Sequence, residues 1–182
     1  DPYSKTENDF ADIPVIFSLP AKSLAWFKGV KSSLGYSFTG VIPMSQLSTK
    51  KDNLQTALSA KVGLSLSAPD QQGFSGGTSI SLGRNFHAYD TDINGNVLNQ
   101  YSSNQTLSLG YTLENWSLSV DFINKSRWTY QNSTKSAFEL NEELGYSIND
   151  NFGVALGHTN AGSTLKDNGT DSNIDLINEK FW

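Results

Sequence analysis

The chain has 182 residues, 18 acidic against 13 basic, for a formal charge of −5, which argues against a nucleic-acid partner because phosphate binding rests on Lys and Arg. Apolar residues make up 37% and charged residues 17%, against about 45–50% and about 25% in ordinary domains. The balance is 25 Ser, 17 Asn and 13 Thr, poor helix formers that exclude a long helical bundle, while 4 Trp, 7 Tyr and 10 Phe exclude a chain that buries nothing.

Residues 1–29 stand apart. Ile13-Pro14-Val15-Ile16-Phe17 is apolar but interrupted by Pro14, which cannot donate to a central ladder. An N-terminal arm, periplasmic or subunit-contacting, is expected over 1–29, with the main domain over 30–182. From Leu34 onward apolar residues recur at every second position, the period of a strand. Leu34, Tyr36, Phe38 and Ile42 share a face, as do Leu58, Ala60, Val62, Leu64 and Leu66. The pattern repeats at Thr78/Ile80/Leu82, Leu107/Leu109/Tyr111, Trp116/Leu118/Val120/Phe122, Phe138/Leu140/Leu144/Tyr146/Ile148 and Phe152/Val154/Leu156. These seven strands predict an all-β antiparallel fold, and a poorly patterned eighth is expected about 173–182. Between the apolar positions stand mostly Ser, Gly, Thr and Ala.

The connections differ in length. Leu113-Glu114-Asn115-Trp116 and Ile148-Asn149-Asp150-Asn151-Phe152 leave room for tight turns only, and 68–73 is short. Long polar connections are expected over 43–53, 90–104, 124–135 and 159–172. Short and long alternate, so the long loops share one end. Aromatics cluster at the strand ends: Phe74, Tyr111, Trp116, Tyr146 and Phe152 beside the short turns, and Phe86, Tyr89, Tyr101, Trp128, Tyr130 and Phe138 towards the long loops. No stretch reaches 18 consecutive apolar residues, so no membrane-spanning helix is expected. Asp1-Pro2-Tyr3 lacks the basic and apolar regions of a signal peptide, leaving either no export or a leader already removed.

Alternating faces, unequal loops and aromatic strand ends resemble the porin-like outer-membrane β-barrel proteins of Gram-negative bacteria, over about 34–182. The resemblance implies a transmembrane β-barrel-type wall of about eight strands with short periplasmic turns and long outer loops. It implies a location in the bacterial outer membrane and contact with membrane lipid. The lipid-facing set is then Leu34, Tyr36, Phe38, Leu58, Val62, Leu64, Leu82, Leu109, Leu118, Val120, Leu144, Val154 and Leu156. The interfacial aromatics are Phe74, Tyr111, Trp116, Trp128, Tyr130, Tyr146 and Phe152. Such barrels end in an aromatic residue, which Trp182 supplies, although Asn178 and Lys180 spoil its face.

An eight-stranded barrel is narrow and needs filling, and Ser, Gly and Thr are too small to fill it. A few long interior residues (Lys61, Asp121, Glu139, Asn141 and Glu143) could do so, as an ion-pair cluster or as a charged constriction that selects solutes. Water could fill it instead, or the strands could be staves of a wider wall shared among subunits. The last arrangement resembles the PopA-type, lipid-trapping group of porin-like proteins, and implies a homo-oligomer. The alternatives are a small monomeric barrel for passive diffusion of small solutes, and a soluble β-sandwich acting as an adhesin or binding module.

No enzyme, metal or cofactor is expected. The absence of Cys excludes disulfides, zinc–thiolate sites and a thiol nucleophile. His87 and His158 read as strand-end caps, since neither has the partners of a nucleophile–base pair beside it. Asp90, Asp92, Asn94 and Gly95 match the start of a calcium loop, but Tyr101 stands where the bidentate Glu should be, so the segment reads as a hairpin loop. Arg84 falls on the apolar face near a strand end, where its long stem can carry the charge to the headgroups.

Overall fold

A computed structural model describes residues 11–24, 29–68, 72–149 and 151–164. They form one antiparallel sheet of eight strands in sequential order: β1 (Ile13–Leu24), β2 (Lys31–Ile42), β3 (Leu54–Ser67), β4 (Gly73–His87), β5 (Asn99–Leu113), β6 (Trp116–Thr129), β7 (Thr134–Asn149) and β8 (Phe152–Ser163). A five-residue π-helical turn, Leu47–Lys51, is the one helical element among the described residues. The sheet does not close into a barrel: β1 pairs with β2 alone and β8 with β7 alone.

The seven strands expected from alternation are all present. The eighth member of the sheet is β1, formed within the segment read as an arm; the strand expected about 173–182 lies outside the described residues. Pro14 and Pro20 both fall in β1, an outer strand, where missing N–H groups can be tolerated. Pro20 sits where the β1–β2 register shifts, between Leu19 and Lys22. The connection expected over 124–135 shrinks to 130–133, because β6 and β7 run on through Thr129 and from Thr134. Asn124, Lys125, Arg127 and Lys135 look like loop residues in composition, yet they are held in the ladder.

Register sorts the two faces. Tyr36 pairs with Val62, which pairs with Ile80; Leu109 pairs with Val120, and Leu118 with Leu144. No second layer covers this apolar face among the described residues. Phe138 is their only buried apolar side chain, whereas Phe74 is 79% and Leu156 76% exposed. The described residues thus form a single sheet, not the two packed sheets of a sandwich.

The other face is concave. A groove of about 660 Å³ runs across it from Ala21 of β1 to Asp121 of β6. Its small residues interlock in cross-strand pairs: Gly63 with Ser79, Gly83 with Ser102, Gly110 with Ser75 and Gly145 with Ser117. In three of these pairs a serine hydroxyl occupies the space a glycine Cβ would take, 2.5 Å away at Gly110 and Gly145 and 2.7 Å at Gly83. The ladder fixes the spacing between strands, but small side chains on one face leave room for the sheet to curl towards it.

This packing separates two otherwise identical substitutions. A Cβ at Gly77 would lie 3.0 Å from the Leu64 carbonyl oxygen, which is backbone and cannot step aside. Gly77→Ala is expected to cost about 1 kcal/mol, read as a lower urea midpoint of the refolded protein. Gly110→Ala meets first the Ser75 hydroxyl, which can rotate away, and is expected to stay within about 0.5 kcal/mol of wild type.

Candidate functional site

The chemistry of this chain is carried by its two faces and by the end that bears the longer loops. On the convex face the thirteen residues expected to meet lipid lie on one side of the sheet, with exposed Phe38, Leu58, Leu82, Leu109, Leu118, Leu144, Val154 and Leu156 among them. Aromatics frame this face. At the short-turn end Phe74 and Tyr111 meet at a ring distance of 4.7 Å, and Trp116 and Tyr146 at 4.6 Å, with Phe152 alongside. Towards the loop end Phe86, Tyr101 and Trp128 share the same face. Tyr101 and Tyr111 are ten residues apart in β5, about 34 Å along the strand, or about 25 Å of height at a tilt of about 45°. That is the height of the apolar band of a membrane barrel.

Tyr130 is tied down differently. Its hydroxyl donates to the Asn85 carbonyl at 3.1 Å, accepts from the His87 amide at 3.3 Å and lies 3.3 Å from His87 Nδ1. It braces the ends of β4 and β6 against each other. His87 is the last residue of β4, as expected. His158 is not a strand-end cap: it lies within β8, paired with Glu142, its Nδ1 3.5 Å from Glu142 Oε2. Apolar alternation stops at Leu156 because polar residues follow, but the ladder continues to Ser163.

The five long residues expected in the interior all occupy the concave face. Lys61 is in the row Ser37–Lys61–Ser81, Asp121 pairs with Asn141, and Glu143 with Ser119. Lys61 and Asp121 line the same groove. Glu139 and Asn141 join a connected chain of polar groups: Lys125 is ion-paired with Glu139, Asn141 Nδ2 donates to Glu139 Oε1 at 2.9 Å, and Thr159 donates to Asn141 Oδ1 at 2.8 Å. Lys125 completes this chain and is not among the expected interior residues. Extending the alternation of Asp121 and Ile123 by two more positions would place it there. No group of His, Asp and Glu capable of holding a metal ion occurs among the described residues.

Two aspartates organise the loop end. Asp92 accepts from the amides of Asn94 and Asn96, each at 2.8 Å, and from Asn96 Nδ2 at 3.0 Å. The Asn96 side chain and then the backbone amides hold its carboxyl below the ordinary range. The calcium-like spacing is therefore a carboxylate that closes its own hairpin loop, spanned by the Thr91–Val97 bridge. Asp12, just before β1, reaches the π-helical turn, accepting from Ser48 Oγ at 2.5 Å and from the amides of Met44 and Ser45, each at 2.9 Å.

No helix among the described residues is long and apolar enough to cross a membrane, which says nothing of strands. No family model matches the chain, and no curated protein or solved structure matches it.

The Ser48 hydroxyl, followed by the Ser45 amide, lowers the Asp12 pKa to about 2, below the about 3.9 of an unfolded aspartate. The clamp's contribution is complete above the unfolded value and is lost as pH falls through the folded one. Hydrogen exchange at the Thr49 and Asp52 amides, which close the turn, is expected to lose protection between about pH 4 and 2. Asp12→Asn should weaken that protection at neutral pH and abolish its dependence on pH over this window.

Proposed function

We propose that this chain is a porin-like, non-enzymatic subunit of a homo-oligomeric β-barrel wall in a bacterial outer membrane, enclosing a lumen or trapped lipid. The observation that carries the reading is a curled eight-stranded sheet with an uncovered apolar convex face, framed by aromatics, and two free edges. In hydrocarbon every backbone N–H and C=O must be paired, so an open sheet is tolerated only when its edges are closed. Among the described residues β1 and β8 each have one unpaired side. Joining β8 of one copy to β1 of the next is a head-to-tail contact, and such contacts close into rings when the curvature permits. Pro14 and Pro20 withhold their amide donors, so the joint runs through the remaining groups of β1.

A break in the apolar face supports the same arrangement. On that face Glu142 and His158 are adjacent on β7 and β8, at the edge of the sheet among the described residues. Ionisable groups are costly against lipid, and this pair lies where a strand of a neighbouring copy would be added beside it. The concave Ser/Gly face, with Lys61, Asp121 and Glu139, then faces the enclosed space.

The test is extraction from outer membranes in mild detergent followed by native mass spectrometry. A ring of several copies is expected, and retained lipid would identify the enclosed space as lipid-filled. A protein that is monomeric and soluble without detergent would overturn the reading. Val120→Arg, on the convex face, is expected to cost about 2–4 kcal/mol near the bilayer midplane and to deplete the membrane fraction.

A further inference from the structure

We infer that Arg84 and the groove beneath it form a binding site for an anionic phospholipid, the guanidinium taking the phosphate and the groove an acyl chain. The inference rests on the reading that the convex face meets lipid. Arg84 is the only charged side chain on that face of β2 to β6. It lies three residues before the end of β4, so its charge sits at the headgroup level of the proposed wall, away from the midplane. Its Cζ is 4.7 Å from the ring centre of Phe86, two residues on, and 5.4 Å from that of Tyr101, its cross-strand partner.

The two rings hold the guanidinium by cation–π attraction. They offer it no anion, and no carboxylate shares this face until Glu142, three strands away and already facing His158. The in-plane N–H fork is left to an external acceptor, and its geometry matches two oxygens of a phosphate. Directly below, Phe38, Ala60 and Leu82 stand in one cross-strand row. The short Ala60 between two large side chains leaves a notch, part of a groove of about 350 Å³ bounded by Leu58, Arg84 and Tyr101. A cation at the mouth of an apolar channel selects an amphiphile with an anionic head, and a bilayer presents that molecule in this orientation.

Native mass spectrometry of the detergent-solubilised protein, offered equal amounts of phosphatidic acid and phosphatidylcholine, tests the site. Wild type is expected to retain phosphatidic acid in preference. Arg84→Gln should lower that preference about tenfold, the effect of losing a charge-assisted hydrogen bond, and Arg84→Lys should keep part of it. Arg127→Gln removes the same charge near the same end but on the concave face, and should leave the preference unchanged. Equal retention in wild type and Arg84→Gln overturns the inference, as does an equal loss in Arg127→Gln, or displacement of the lipid by inorganic phosphate. If Arg84→Gln fails to fold, Arg84→Lys decides: retention equal to wild type in excess inorganic phosphate, with no loss of preference, counts against the stacked fork. The membrane fraction is assayed in the same preparations. Wild type missing from it sinks the outer-membrane reading, whereas membrane-borne wild type indistinguishable from Arg84→Gln sinks this inference alone.

Discussion

The described residues form a single layer, and the rest of their arrangement depends on it. A sheet with one apolar face is stable in water only when a second layer covers that face, by a helix or by another sheet. Here eight strands form one curled sheet, and the side chains that would make a core in a sandwich (Phe17, Phe38, Leu58, Leu82, Leu109, Leu118, Leu156) remain exposed. At about 25 cal/mol per Å² of apolar area, covering such a face is the largest stabilisation open to the chain. The cover must come from outside the described residues, and a bilayer would supply it without any requirement for shape complementarity.

The concave face answers the opposite demand. Rows such as Ser33–Ser65–Gly77–Ser108 carry side chains too small to form a core of their own, and Ser33 and Ser65 instead join hydroxyls at 2.7 Å. Small residues satisfy themselves locally and take little space, so the sheet can bend towards them. A narrow barrel would leave that interior underfilled. A wall built from several copies avoids the difficulty, since its curvature is spread over more strands and the space within is wide enough for solvent or lipid.

Alternation makes the fold legible, and it fails where polarity and strand state part company. Leu34 to Phe38 and Trp116 to Phe122 alternate because one side must leave water, and their ladder and facing follow directly. Asn124 to Thr129 and His158 to Ser163 continue the same ladders with polar residues on both sides, so they read as loops. Backbone pairing with an established neighbour holds them extended regardless of their side chains. The strand over Ile13–Leu24 is obscured for the converse reason: Pro14 and Pro20 suggest a break, but an outer strand has spare N–H positions. The concave-face residues Lys61, Asp121 and Glu139 are found by parity alone. Lys125, the partner of Glu139, is hidden by the loop-like composition around it, and the Asp12 clamp on Ser48 joins segments that no local pattern connects.

The two edges of the sheet are not equivalent, and that asymmetry bears on how the layer could be completed. At β1 the convex face is apolar through Ile13, Val15, Phe17 and Leu19, whereas at β8 it turns polar through His158 and Asn160, with Glu142 beside them. A barrel closed within one chain would bring these borders together, but the small residues of the concave face would leave its narrow interior underfilled. A symmetric pairing of two β8 edges would bring two Glu142–His158 corners together and leave the β1 edges open, which only postpones closure. Head-to-tail joining uses each edge once per copy and would pair the backbone at each joint except where Pro14 and Pro20 lack a donor. It would set the same borders side by side, apolar β1 of one copy against the Glu142–His158 corner of the next. Of the three arrangements, head-to-tail joining alone would engage both edges without leaving a narrow interior underfilled.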